Sequence, residues 1–532
     1  MVATPQEFRE VRAAEVIAAL SLATDLGTRA PFEQGLYSTL LAMRLANRLG
    51  VDEETASHTY YACLLFYVGC TAGAETATEL FGDEAALTAY AAPGRFGSRR
   101  EMMSGLLRAM APPDLPAPVR VARLAVGLPK AAHVFPSQII AFCQVGQMLT
   151  DRLGLPPSIK PLFAYFAERW DGKGQPAGRR AEDLPLAVRI LHVARDAALH
   201  RALGGDDHAV EVIRARAGAA FDPAVAACLA DNASDIFDLG TEKSAWEGVL
   251  EAEPPERLML EGEDIDRALE AMANFADLTS RYLAGHSSGV AALVMAAGQA
   301  AGFCAADIVR VRRAALVHDL GRVAVPVSIW NKPGSLTPGD WEQVRLHAYH
   351  SERVLVRSPF LADLASLASS HHERLDGSGY HRSSTVAGLA PPARLLAAAD
   401  AYHAMTEPRP HRGPLSDTEA ATALAAEAGA GRLDPDAVAA VLDAAGHVGP
   451  RVERPAGLSV REAEVVGLLA RGLQTKQVAR QLGISVKTAD RHIQNAYRKI
   501  GVSTRAAAAV FAMEHGLVAW GELPMGGRRA GP

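Results

Sequence analysis

Between residues 286 and 412 the chain collects His286, the adjacent pair His318 and Asp319, His347, the adjacent pair His371 and His372, and Asp400. Imidazole and carboxylate together suit borderline cations such as iron, manganese or zinc, and seven such groups exceed what one tetrahedral ion takes. Two ions sharing a bridging carboxylate is the economical reading, and closely spaced ion pairs are typical of hydrolysis at phosphorus. The stretch LVHDLGRVAVP (316–326) sets His318 and Asp319 inside an apolar run. Polar groups buried there are costly unless something satisfies them, and cations would do so.

Each residue alone has an ordinary reading, since a single histidine on an apolar helix face is commonly a satisfied core residue, and His347, His371 and His372 could sit idle on a surface. The chain supplies its own comparison. ERWDGKGQPAGRRAEDLPLAVRIL (168–191) lies over ERLDGSGYHRSSTVAGLAPPARLL (373–396) without a gap, with eight of 24 positions identical, including both glycines of DGxG. At a second offset, residues 34–50 lie over 286–302 and CLLFYVG (63–69) over ALVHDLG (315–321). One helical module therefore occurs twice. In the first copy Gln34 stands for His286, Phe66 and Tyr67 for His318 and Asp319, Phe166 and Ala167 for His371 and His372, Arg195 for Asp400, and Phe142 or Cys143 for His347. All candidate ligands vanish together, which a purely structural role does not explain. The first copy is expected to act as a scaffold for dimerisation or as a sensor, and its DGKGQP loop leaves a ligand-binding role open.

The elements that must position these residues are helices. The chain has 532 residues, too many for one ordinary core, and is rich in alanine and leucine with only 6% aromatic residues, which favours packed helices over sheet. The expected fold class is all-α: tandem helical modules followed by a helix-turn-helix bundle. Pro-rich or polar breaks fall at 111–120, 247–264 and 446–459, and the last two divide the chain into expected domains at 1–246, 262–447 and 456–520. MGGRRAGP at the end reads as a disordered tail. The five cysteines form no CxxC pair and fit a reduced setting. With no export signal and no run of about 18 apolar residues, a cytoplasmic protein without a membrane partner is expected.

The series GHS, HDLG, LHAYHSERVL, SSHHERLDGSGY and AAADAYHAMTEPRPHR resembles the HD-GYP family of metal-dependent phosphohydrolases, whose studied members cleave cyclic di-GMP; the likeness covers roughly residues 275–445. It implies that His286, His318, Asp319, His347, His371, His372 and Asp400 hold two divalent ions, iron or manganese, with Asp319 bridging them and activated water attacking phosphorus in line. Asp319 and Arg322 are then the catalytic pair. Arg409 and Arg412 stand where the family places basic residues for substrate phosphate, Gly377 and Gly379 permit a tight loop close to a ligand, and Tyr380 is placed to stack on a base. The sequence departs from the pattern at three positions: Arg322 replaces the lysine of HDIGK, His381 the proline of GYP, and His403 the second aspartate of DxxDAMT. Tyr282 occupies the place of a glutamate tied to a third metal in part of the family, so two ions are expected rather than three.

Residues 457–517 hold nine Lys and Arg against four Asp and Glu, leaving −11 for the rest of a chain whose net charge is −6. Ser459 and Glu462 form an S-x-x-E capping box before the apolar Val465, Leu468 and Leu469. A second helix through TKQVARQL stops at Gly483, and Ser485 caps a third carrying Lys487, Thr488, Arg491, His492, Gln494, Asn495, Arg498 and Lys499. That is the helix-turn-helix order, and the third helix suits the major groove of double-stranded DNA, cations reaching phosphates and amides reaching base edges. The segment resembles a LuxR-type DNA-binding domain over nearly its full length, which implies action as a homodimer on paired half-sites.

Together these readings predict a transcriptional regulator with a phosphohydrolase module whose ligand is a cyclic dinucleotide or another phosphoester. Two other outcomes stay open: a working phosphodiesterase that is merely tethered to DNA, and a regulator that binds metal and nucleotide without cutting any bond.

Overall fold

The computed structural model describes residues 10–81, 99–239, 244–385, 388–446, 455–482, 484–515 and 517. The terminal MGGRRAGP, Gly483 and most of the 446–459 break lie outside the described residues. The described residues are helical apart from a two-stranded antiparallel ribbon of β1 (Glu10–Arg12) and β2 (Met259–Glu261), in register Val11 to Leu260, so the all-α expectation holds. Residues 8–271 form one compact unit and residues 272–532 belong to another.

In the first unit the helices are α1 (Ala13–Thr28), α2 (Gln34–Leu49), α3 (Glu53–Leu64), α4 (Ala74–Phe81), α5 (Arg99–Met110), α6 (Ala117–Arg152), α7 (Leu186–Arg216), α8 (Pro223–Asp231), α9 (Ala233–Phe237) and α10 (Ala245–Glu251). The stretch 247–264, read from sequence as a break, thus carries the end of α10 and all of β2. Helix α2 is central, packed on α3 and α7.

Helix α11 (Glu263–Asp277) leads to the second unit, which continues with α12 (His286–Ala300), α13 (Ala305–Val317), α14 (Val327–Trp330), α15 (Pro338–Leu355), α16 (Pro359–Ala368), α17 (Pro391–Thr406), α18 (Asp417–Gly429) and α19 (Pro435–Ala445). Here α12 is central, packed on α13, α17 and α19. Its sequence HSSGVAALVMAAGQA is apolar nearly all round, as a helix covered on several sides requires; Val290, Leu293, Val294 and Ala297 are fully buried.

The duplication read from sequence is a duplication of structure. Helices α2 and α3 start at Gln34 and Glu53, and α12 and α13 start at His286 and Ala305, both pairs offset by 252 residues; α7 and α17 start at Leu186 and Pro391, offset by 205. A carboxylate braces the start of each central helix: Asp25 accepts from the Gly35 amide (3.3 Å), and Asp277 accepts from the amide and hydroxyl of Ser287 (3.0 and 2.9 Å). After α3 and after α13 the chain turns through a 3-10 helix, Val68–Gly73 and Leu320–Ala324.

The C-terminal bundle consists of α20 (Val460–Ala470), α21 (Thr475–Gln481), α22 (Val486–Ile500) and α23 (Arg505–Glu514). Ser459 and Glu462 form the expected capping box, and Ser485 Oγ accepts from the Thr488 amide. Val465, Leu468 and Leu469 of α20 meet Val478 and Ala479 of α21 and Ala489 and Ile493 of α22 in one core.

Candidate functional site

The candidate ligands arrive from five places in the second copy. His286 is the first residue of α12, His318 and Asp319 follow α13, His347 lies inside α15, His371 and His372 follow α16, and Asp400 lies inside α17. Three of the imidazoles share one device: Nδ1 points at the backbone carbonyl three residues earlier, His318 at Ala315 (2.6 Å), His371 at Ala368 (2.6 Å) and His347 at Val344. A carbonyl can only accept, so Nδ1 carries the hydrogen and Nε2 presents a lone pair.

Those Nε2 atoms converge on Asp319. Its Oδ2 lies 2.9 Å from His318 Nε2 and 3.3 Å from His286 Nε2, while its Oδ1 lies 3.4 Å from both His347 Nε2 and His371 Nε2. Asp400 faces both groups as well, Oδ1 toward His286 (3.1 Å) and Oδ2 toward His372 Nδ1 (3.6 Å). Two clusters of donor atoms result, His286, His318, Asp319 and Asp400 on one side and His347, His371 and His372 on the other. Donors that share an ion at about 2.1 Å stand about 3.0 to 3.4 Å apart; the contacts of Asp319 with His286, His347 and His371 and of Asp400 with His286 fall in that range, while His318 to Asp319 at 2.9 Å and His372 to Asp400 at 3.6 Å lie just outside it. His347 Nε2 and His371 Nε2 face each other at 3.1 Å, two lone pairs that repel unless a cation or proton lies between them. His318 Nε2 and both oxygens of Asp319 are buried and make no well-formed hydrogen bond. The donor set fits divalent ions.

The electrostatics point the same way. Burial disfavours a charged His318, yet the carboxylates of Asp319 and Asp400 raise it to about 9, so the position calls for positive charge. Burial lowers His371 to about 4 and keeps it a neutral donor. Burial raises Asp277, the last residue of α11, to about 6. Asp319 stays ionised against its burial because Arg322 and His318 lie beside it, Arg322 Nη1 being 2.7 Å from Oδ2. The Arg322 guanidinium packs over the Trp330 indole, 5.5 Å from the ring centroid.

Around this centre Gly377 has φ +79, and a Cβ on Gly379 would lie 2.5 Å from the Glu373 Cα and the Arg374 amide, so the loop requires glycine there. Glu373 braces that loop by accepting from the amides of Arg382 and Ser384 (2.7 Å each). The Tyr380 ring lies on His372, centroids 4.5 Å apart. Arg412 donates to the carbonyls of Ala404, Met405, Glu407 and Gly413 at the end of α17. Arg409 donates to Tyr282 O (2.6 Å) and to Glu407 (2.9 Å). His381 takes an ion-pair position on Glu352 (2.5 Å). Sequence reasoning missed Glu407, whose Oε2 lies 2.8 Å from His286 Nδ1. It also missed Asp277, although the aspartate at both 25 and 277 was visible at the 252-residue offset.

In the first copy the corresponding space is filled without ligands. Phe66 stacks on Phe166, centroids 5.1 Å apart, and the Arg195 guanidinium lies 5.2 Å from the Phe66 ring while pairing with Asp196. A Cβ on Gly69 would lie 2.1 Å from Phe142 O, as one on Gly321 would from His347 O, which makes Phe142 rather than Cys143 the counterpart of His347. The brace of the DGxG loop survives: Glu168 accepts from the amides of Ala177 and Gly178.

On α22, Lys487, Arg491, Gln494 and Arg498 are exposed at spacings of four, three and four residues, one continuous outer stripe. Asn495 accepts from Arg498 (2.7 Å) beside that stripe, and Thr488 meets the Ser485 hydroxyl (2.7 Å). His492 is half-buried. Lys499 is tied into the bundle by Glu462 (2.6 Å) and the Gly457 carbonyl (3.0 Å).

An all-helical module that gathers histidines and aspartates around one HD pair, followed by a helix-turn-helix with a basic outer stripe, defines a class: an HD-type phosphohydrolase fold joined to a DNA-binding domain. Comparison with known proteins agrees. Residues 134–225 and 270–437 match the HD domain family, and residues 456–512 match the luxR family of bacterial regulatory proteins. The chain carries an HD domain and a C-terminal luxR-family domain, and HD domains are metal-dependent phosphohydrolases. It is 26% identical over 433 residues to a 3′3′-cGAMP-specific phosphodiesterase of Vibrio cholerae, covering 80% of this chain and 93% of that one. It is 34% identical over 172 residues to a second 3′3′-cGAMP-specific phosphodiesterase of Vibrio cholerae, covering 32% of this chain and 40% of the relative. A solved structure of a cyclic GMP-AMP specific phosphodiesterase of V. cholerae shares the fold at TM-score 0.57 and 22% identity, covering 83% of this chain and 99% of that one. No helix among the described residues is long and apolar enough to cross a membrane.

Proposed function

We propose that this chain is a DNA-binding regulator whose second helical copy is a two-metal phosphodiesterase for a cyclic dinucleotide, with modules at 1–246, 262–447 and 456–520. The observation that carries the reading is Asp319, whose two oxygens each face a separate set of imidazoles within 3.4 Å. His286, His318, Asp319 and Asp400 would hold one ion, and His347, His371 and His372 with Asp319 the other; iron or manganese suits the donors. Bound there, such ions polarise a phosphodiester and lower the pKa of water.

The chain's own residues do the rest. Carbonyl bonds at Nδ1 hold three imidazoles in the ligating tautomer, and Arg322 keeps the Asp319 carboxylate ionised while placing positive charge beside the reacting phosphate. Gly377 and Gly379 let the loop backbone approach substrate, Tyr380 offers a ring face to a base, and Arg409 and Arg412 set positive charge at the end of α17 for phosphate. Lys487, Arg491, Arg498 and Lys499 serve DNA phosphates, and Thr488, His492, Gln494 and Asn495 the base edges, in a homodimer on paired half-sites.

A second reading, a sensor that binds without cutting, is favoured by one observation: Arg322 pairs at 2.7 Å with the very carboxylate that would bridge the ions. One assay decides. Purified protein with Mn²⁺ or Fe²⁺ is given 3′3′-cGAMP, cyclic di-GMP and a simple phosphodiester, beside His318→Ala and Asp319→Ala. Linear product from wild type alone, with turnover at least 100-fold below wild type in both variants, supports the enzyme. Bound metal with no turnover of any substrate leaves the sensor.

A further inference from the structure

Of the four imidazoles that bring Nε2 to the Asp319 carboxylate, His286 alone lacks the carbonyl brace. It opens α12, and the carbonyl three residues back, Leu283 O, is already taken by its own backbone N–H at 3.0 Å. Its Nδ1 turns instead to Glu407 Oε2 at 2.8 Å, just past the end of α17. The carboxylate is itself held in place: Arg409 Nη2 lies 2.9 Å from the same oxygen and anchors through Nη1 to Tyr282 O, in the segment leading into α12, while Oε1 lies 3.2 Å from His403 Nδ1.

Two features follow from this arrangement. His403, which stands where the family pattern has an aspartate, is accompanied by a carboxylate one helical turn further along. And His286, His403 and Glu407, although close enough to hold an ion, have the Arg409 guanidinium at the Glu407 carboxylate, which opposes a third cation there.

We infer that Glu407 is a positioning residue that fixes the His286 tautomer and strengthens His286 as a donor, so that it selectively tightens the ion held by His286, His318, Asp319 and Asp400. This rests on the two-metal reading above. An anionic acceptor on Nδ1–H pushes electron density toward Nε2 more than a neutral carbonyl does, and loss of such a partner commonly weakens metal binding about 10- to 100-fold. In the other cluster His347 and His371 set Nδ1 against the carbonyls of Val344 and Ala368, and His372 Nδ1 faces Asp400, so a change at Glu407 leaves those partners in place.

The test is Mn²⁺ binding to the full chain by calorimetry, with the electron paramagnetic resonance signal of the bound ions as a second readout. Wild type, Glu407→Ala and Glu407→Gln are compared, and circular dichroism establishes that each is folded. In Glu407→Ala one of two binding events is expected to weaken about 10- to 100-fold while the other holds, and the coupled two-ion signal gives way to that of a single ion. Glu407→Gln keeps an acceptor without the charge and is expected to fall between; if Glu407→Ala does not fold, this variant alone carries the test with a loss confined to one ion. Affinities equal to wild type in both variants, or both ions weakened alike, overturn the inference. A wild-type chain that binds no divalent ion overturns the two-metal reading itself, a distinct result.

Discussion

His192 of the first copy is buried beside the Phe166 carbonyl, 3.0 Å from Nε2, and next to the Arg195 and Asp196 pair. Burial and the Arg195 charge lower its pKa to about 4, so the folded protein holds it neutral. Above pH 6.5 both folded and unfolded forms are neutral and the group contributes no pH dependence. Below that the unfolded chain takes up a proton that the folded one refuses, and stability falls until the pH reaches about 4. At pH 5 the loss from this group is about 2 kcal/mol. Hydrogen exchange of the α7 amides in wild type and His192→Gln, at pH 7.5 and pH 5, measures it: the variant is expected to lack that part of the slope, and equal slopes remove the assignment. His192 was not singled out in the sequence, whereas the candidate ligands around Asp319 were, because the first copy carries none of them and displays the contrast directly. Glu407 escaped for an equally physical reason. Glu407 lies outside the DxxDAMT pattern, and only the fold brings it to His286.

At the level of elements, a point held tightly by backbone in each copy is the glycine inside the 3-10 turn that follows α3 or α13. A Cβ on Gly321 would lie 2.1 Å from His347 O and 2.4 Å from the Ser351 amide, and a Cβ on Gly69 2.1 Å from Phe142 O. Backbone cannot swing aside as a flexible side chain does, so Gly321→Ala must separate the 3-10 turn that carries Asp319 from α15, which carries His347. Ser351 pins the same junction, accepting from the Gly321 amide (2.8 Å) and donating to His318 O (2.7 Å). Gly321→Ala is expected to cost about 1–3 kcal/mol and to lower Mn²⁺ stoichiometry. Gly69→Ala is expected to cost a similar amount and leave metal content unchanged. Thermal unfolding with metal analysis checks both, and unaltered metal content in Gly321→Ala counts against the junction. The starts of α2, α3 and α7 and their partners were legible because the repeat aligned them, and the caps of α20 and α22 because Ser459, Glu462 and Ser485 make local bonds. The β1–β2 ribbon was not. Three residues at Glu10–Arg12 pair with three at Met259–Glu261, and a strand this short is stabilised by a segment far away in sequence rather than by its own pattern.

For the whole molecule, the charge divides into a basic reading domain and a remainder of −11 that DNA repels. In the proposed homodimer, affinity for an operator depends on how two reading helices are presented, and paired half-sites demand a spacing of about 34 Å. A nucleotide in the second copy alters DNA affinity only to the extent that it binds one arrangement better than another. Linkage makes the effect reciprocal: the factor by which ligand shifts operator affinity equals the factor by which operator shifts ligand affinity, about 5- to 150-fold for a coupling of ordinary size. A phosphorothioate analogue of 3′3′-cGAMP or cyclic di-GMP, which resists cleavage, allows both to be measured at equilibrium. Fluorescence anisotropy of labelled operator with and without saturating analogue gives one factor, and calorimetric titration of the analogue with and without operator gives the other. Matching factors well above one are expected for the ligand the module recognises. An analogue that binds tightly and changes neither affinity would leave the HD module and the DNA reader as neighbours on one chain without communication, and the regulatory half of the proposed function would fall while the chemistry at Asp319 stood.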